Sequence, residues 1–66
     1  MTVRLNGELT TLPEEITLRG IAELYQLEEK SIVFELNRRV IDRERYSATW
    51  LKENDTVEIV RFVGGG

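Results

Sequence analysis

The residues best placed to do chemistry are the last three, Gly64, Gly65 and Gly66, which follow directly on an apolar run from Val57 to Val63. Glycine has no side chain with which to build a core or a cap, and it loses the most conformational entropy on ordering. A thin, flexible tail ending in the α-carboxylate of Gly66 is therefore expected. Such a tail can thread a narrow passage and present an acyl carbon with no Cβ beside it, and achiral glycine cannot racemise when that carbon is activated. A carboxylate is a poor electrophile, so acyl chemistry at Gly66 requires activation, most simply as an adenylate made with ATP by another protein. On this reading the chain is a co-substrate of partner enzymes rather than an enzyme. It has no catalytic residues of its own and binds no cofactor, and ATP belongs to the activating partner. The alternative reading of the glycines is a frayed terminus.

The run before the tail favours a docking role. Strand alternation puts Val57, Ile59 and Arg61 on one side and Glu58, Val60 and Phe62 on the other. With Val57 turned inward, Val60 and Phe62 are exposed. Together with Val33 on a neighbouring strand they make a small apolar patch beside the tail, of the kind a partner protein covers.

Little other side-chain chemistry is open to this chain. Its 66 residues contain no Cys and no His, which removes disulfides, thiol nucleophiles, the usual zinc sites and the commonest general base. Glu14-Glu15 and Glu28-Glu29 are adjacent carboxylates, but so small a domain offers no pocket for acid and base work, and they read as surface charge. No glycine-rich loop precedes a helix, so phosphate cradling has no support. Nine Lys and Arg against twelve Asp and Glu give a formal charge of −3, which argues against a nucleic-acid partner. Arg38, Arg39, Arg43 and Arg45 fall within eight residues, with Asp42 and Glu44 among them; they read as a self-neutralised surface loop, an acidic partner surface being the functional alternative. No apolar run approaches the ~20 residues of a membrane span, and a cytoplasmic protein that is monomeric on its own is expected.

The elements that must position the tail are legible in outline. Val3 and Leu5 alternate with polar neighbours up to Asn6-Gly7, the strongest short hairpin signal, so Thr2 to Leu12 reads as a β-hairpin. Thr17 is a candidate N-cap for an amphipathic helix from Leu18 to Leu27, whose Leu18, Ile21, Ala22, Leu24 and Tyr25 recur at helical spacing. Gly20 inside it reads as a glycine tolerated near the first turn. Ser31 to Leu36 alternates as a half-buried strand with Val33 on the polar side. A turn at Asn37 to Arg39 leads to a short strand at Val40 and Ile41. Asp42 to Leu51 is irregular or a single helical turn, with Tyr46, Trp50 and Leu51 read as core cover. After a turn in which Asn54 is a candidate for positive φ, Thr56 to Val63 is the final strand.

This order is an α+β, β-grasp arrangement: a mixed sheet of four to five strands with one main helix packed across it, the last strand central beside the first. Residues 1–63 form the domain and 64–66 the tail.

The chain resembles the ThiS family of sulfur carrier proteins, ubiquitin-like β-grasp domains of thiamine (thiazole) biosynthesis. The residues that carry the resemblance are the Leu5-Asn6-Gly7-Glu8 hairpin, Glu35-Leu36-Asn37, Val40-Ile41, Arg43, the aromatic Tyr46, and above all Val57 through Gly66. The resemblance implies that a ThiF-like adenylyltransferase uses ATP to activate the Gly66 carboxylate. Sulfur from a cysteine desulfurase or another donor system then replaces the adenylate, and the thiocarboxylate delivers its sulfur to thiazole synthase, a ThiG-like enzyme. Asp42 stands where the family often has Pro, Tyr46 where Trp is frequent, and Arg38-Arg39 and Asn54 where Gly is common. The alternatives are the small subunit of molybdopterin synthase, also a sulfur donor, and a ubiquitin-like modifier that ends in an isopeptide bond.

Overall fold

The computed structural model describes residues 1–62. Five strands form one mixed sheet in the order β2-β1-β5-β3-β4, with β1 at Thr2–Leu5, β2 at Glu8–Thr11, β3 at Ile32–Leu36, β4 at Arg39–Ile41 and β5 at Thr56–Arg61. β5 is central, parallel to β1 and antiparallel to β3, as a β-grasp sheet requires. The helix α1, Leu18–Leu24, follows the first hairpin and buries Leu18, Ile21 and Ala22. The division between domain and tail at residues 63 and 64 falls outside the described range.

Local chemistry explains the two hairpins. Asn6 and Gly7 take φ of 50° and 86°, which closes β1 onto β2 with Leu5 opposite Glu8. The second hairpin uses the same device with a less suitable residue: Asn37 and Arg38 take φ of 50° and 73°, and Leu36 pairs with Arg39. Each asparagine also reaches across to β5. The Asn6 Oδ1 accepts from the Ile59 N–H at 2.7 Å, and the Asn37 Oδ1 accepts from the Thr56 N–H at 2.9 Å. The Asn37 Nδ2 donates to Asp55 Oδ1 at 3.0 Å, while Asp55 Oδ2 accepts from the Lys52 N–H at 2.7 Å, so the buried Asp55 carboxylate is satisfied on both oxygens.

α1 is capped by Thr17, whose Oγ1 accepts from the Gly20 N–H at 3.0 Å. It stops three residues short of the expected Leu27. Gln26 turns into the left-handed region at φ 57°, its N–H donates to the Glu23 carbonyl, and the Leu27 N–H donates to the Ala22 carbonyl at 2.7 Å, a Schellman closure. Leu27 then packs back on the core, and Leu24 and Tyr25 are left exposed. Gly20 is more than a tolerated glycine, because a Cβ there would stand 2.7 Å from Ile16 Cγ1. The absent side chain is what lets Ile16 close over the start of the helix.

The core gathers Val3, Leu5, Leu12, Ile16, Leu18, Ile21, Ala22, Ile32, Phe34, Tyr46, Leu51 and Val57 between the sheet and α1. Tyr46 comes from a 3₁₀ turn at Arg43–Ala48 and meets the Phe34 ring edge-to-face at 4.9 Å, and its hydroxyl accepts from the Phe34 N–H. Trp50 does not share this role: it is 57% exposed. The segment runs antiparallel to the residues before α1, the Leu18 N–H donating to the Thr49 carbonyl and the Leu51 N–H to the Ile16 carbonyl. That pairing sends Leu51 inward and its neighbour Trp50 outward.

Candidate functional site

The site is built where β5 ends. β5 pairs with β3 so that Ile59 faces Phe34, Val60 faces Val33 and Arg61 faces Ile32. The Phe62 N–H then donates to the Ser31 carbonyl at 2.9 Å, one further rung beyond the strand. Gly64, Gly65 and Gly66, the residues assigned the acyl chemistry, lie outside the described residues, as does Val63. The structure therefore gives the point from which the tail departs: residue 62, held by its backbone at one end of the central strand.

Period-two geometry separates the faces of the sheet. Val57 is fully buried under α1, whereas Val60 is 51% and Phe62 61% exposed on the opposite, open face. Val33 is half-buried and stands across from Val60, so all three residues named as the docking patch come together. A fourth belongs with them. Val40 pairs with Glu35, which shares a face with Val33, and is 66% exposed. Reading Asn37-Arg38 as a two-residue turn would have set the register and put Val40 on that face from sequence. Val33, Val40, Ile41, Arg43, Tyr46 and Phe62 line a shallow depression of about 350 Å³ at this end of the sheet. On the same face Glu35 stands directly opposite Glu58, two like charges between the apolar residues.

Among the described residues, no group of three or more His, Cys, Asp or Glu side chains is arranged to hold a metal ion. No helix among them is long and apolar enough to cross a membrane. Val40, Val60 and Phe62, with the half-buried Val33, thus form an exposed apolar face next to the last described residue.

The model of the ThiS family matches residues 3–66. The chain belongs to the ThiS family. Among its relatives, the sulfur carrier protein ThiS of Bacillus subtilis (strain 168) is 38% identical over 65 residues, covering 97% of this chain and 98% of that protein. A thiazole synthase of Magnetococcus marinus is 35% identical over 66 residues, all of this chain but only 20% of that enzyme, so the similarity there is to a ThiS-like segment of a larger protein. In three dimensions the chain superposes on the crystal structure of the thiamine biosynthesis protein ThiS from Geobacter metallireducens with a TM-score of 0.86 at 30% identity, the whole of each chain being covered. The fold is thus the ubiquitin-like β-grasp of the ThiS family. Three places where this chain departs from the family's pattern now have a structural meaning. Arg38 and Asn54 occupy positive φ, 73° and 72°, where glycine is the less strained choice, and Tyr46 fills the aromatic position of the core.

Proposed function

We propose that this chain is a sulfur carrier of thiazole formation in thiamine biosynthesis, acting as a co-substrate and not as a catalyst. The observation that carries the reading is that the ThiS-family match extends through residue 66, so that it takes in the diglycine end as well as the fold. With Gly66 as the terminal residue, its carboxylate attacks the α-phosphorus of ATP in a ThiF-like adenylyltransferase, giving an acyl adenylate and releasing pyrophosphate. The terminal sulfur of a persulfide from a cysteine desulfurase displaces AMP to give an acyl disulfide, whose S–S bond a thiol reductant cleaves to leave the thiocarboxylate; a sulfide-level donor displaces AMP to the thiocarboxylate directly. Thiazole synthase then takes the sulfur, and the carboxylate returns.

Each part of the chain has a place in this cycle. Gly64 and Gly65 admit the end to a narrow active site, since neither carries a Cβ. Val33, Val60 and Phe62, joined by Val40, offer the face on which the enzymes dock. ATP is bound by the activating partner, in keeping with the lack of a glycine-rich phosphate loop before α1. Similarity to a segment of a thiazole synthase supports that enzyme as the acceptor, because an interaction used in every turnover is one that covalent linkage would preserve. Because activation consumes ATP, this reading puts the cycle in the cytoplasm.

The test is the intact mass of the protein after incubation with ATP, a ThiF-type enzyme and a sulfur source. Exchange of one carboxylate oxygen for sulfur, localised to Gly66 by fragmentation, is the expected result. An unmodified mass, with an activating enzyme that modifies its own carrier in a parallel reaction, would sink the proposal.

A further inference from the structure

The edge of the sheet carries a charged surface that the cycle above does not use. β4 is an edge strand, and the turn before it and the 3₁₀ turn after it set Arg38, Arg39, Arg43 and Arg45 along this edge, four of the chain's nine basic residues, with Arg38 at one end of β4 and Arg43 and Arg45 beyond the other. All four are exposed. Asp42 and Glu44 lie among them in sequence, yet neither forms an ion pair with any of the four: among the described residues the ion pairs are the Met1 terminus with Glu14 and Arg19 with Glu29. Asp42 and Glu44 thus lower the net charge of this segment without pairing directly with its arginines.

Two further observations single out this edge. Arg38 sits at φ 73°, the second centre of a tight turn, where an L side chain is strained and Gly is the usual solution. The hairpin thus keeps a guanidinium at its tip at the expense of backbone ease. Arg39 and Arg45 flank a depression of about 280 Å³ that also takes in Val40, Ile41, Asp42 and Thr49. Arg43 lines the neighbouring depression together with Phe62, Lys30, Asp42 and Glu29, so it is through Arg43 that this edge meets the apolar face.

We infer that the Arg38–Arg45 edge engages a carboxylate-rich strip on the adenylating enzyme and sets the orientation in which that enzyme receives the tail. The inference rests on the carrier reading above. A planar guanidinium forks onto a carboxylate with two parallel hydrogen bonds, so a row of arginines fixes direction as well as charge. Charge complementarity favours a protein over a nucleic acid as the occupant. A protein surface can place acids over the arginines and something neutral or basic over Glu35 and Glu58, whereas a nucleic-acid backbone is uniformly negative and would be repelled by that facing pair.

The experiment is calorimetric binding of the full chain to a ThiF-type enzyme at two salt concentrations. Raising NaCl from about 50 to about 500 mM shortens the Debye length to about a third, and wild-type affinity is expected to fall about tenfold. The double variant R39E/R45E is expected to bind about 30-fold more weakly at low salt and to be nearly indifferent to salt. Phe62→Asp, as a contrast, loses affinity at both salt concentrations and keeps the wild-type salt dependence. Arg38→Gly guards against misfolding, because glycine suits that φ: it should melt no lower than wild type and bind about threefold more weakly at low salt. A folded double variant that binds like wild type, or keeps its salt dependence, overturns the inference while leaving the carrier reading intact. A wild-type chain that is neither bound nor adenylated at any salt overturns the carrier reading, and this inference with it. Arginine-dependent capture of single-stranded DNA in place of the enzyme would overturn the assigned occupant.

Discussion

Where β5 begins, Asn37 grips Thr56 and the buried Asp55 ties the incoming loop, while Asn6 reaches Ile59 farther along the strand; where it ends, a single backbone hydrogen bond from Phe62 to Ser31 holds the last described residue. The first end is rich in satisfied side-chain polar groups and the second in uncovered apolar ones, Val60 and Phe62. A small domain has only a handful of kcal/mol to distribute. This one concentrates its local stabilisation at the end away from the tail, which leaves the tail end free to be shaped for another protein. Separate substitutions should therefore move stability at one end and function at the other.

The largest effect expected on function with none on the fold is deletion of Gly66. Adenylation, followed as ATP-dependent pyrophosphate release with a ThiF-type enzyme, should vanish, while urea denaturation gives the wild-type midpoint. A truncated chain that is adenylated normally would contradict the assignment of the tail. At the opposite end of β5, Asn37→Ala removes an acceptor for Thr56, a donor to Asp55 and a residue tolerant of φ 50°. A loss of about 2–3 kcal/mol is expected, seen as a fall in Tm of roughly 10–20 °C. Adenylation of the fraction that remains folded should be unchanged. If Asn37→Ala left Tm alone, the contrast between the two ends would fail.

The contrast also explains which features could be read from the sequence. Asn6-Gly7 announces its turn because both residues tolerate positive φ, and Thr17 announces the helix start by its hydroxyl. Asn37-Arg38 makes the same turn without the glycine, so the register of β4, and with it the outward placement of Val40, was hidden. Gln26 closes α1 in a left-handed conformation that glutamine does not advertise, which is why Leu24 and Tyr25 were counted with the buried stripe. Trp50 lies in a segment without periodicity, and only its pairing with the residues before α1 decides that Leu51 points in. The separation of Val57 from Val60 and Phe62 needed nothing but alternation. In each failure a tertiary contact chose a backbone conformation that the local residue types leave open.

Next in size is a charge in the apolar patch. Val60→Asp or Phe62→Asp should leave Tm within a degree or two, since both side chains already face solvent, but weaken binding of the activating enzyme by about tenfold or more, because an unpaired carboxylate would be desolvated on docking. Calorimetry of the variants decides it, and an unchanged affinity would place the interface on another face, with the exposed Trp50 the first residue to try.

The smallest effect sharpens the comparison most. Arg38→Gly relieves the left-handed strain at φ 73° without removing any hydrogen bond made by the Arg38 side chain among the described residues, and should stabilise the domain by about 0.5–1 kcal/mol. The same substitution takes one guanidinium from the far end of the basic edge, whose other end, at Arg43, borders Phe62. A protein that becomes more stable and less well recognised by one change shows that the strain at the hairpin tip is retained for binding and not for folding. Equal recognition with higher stability would instead make Arg38 an unselected residue in a turn better served by glycine.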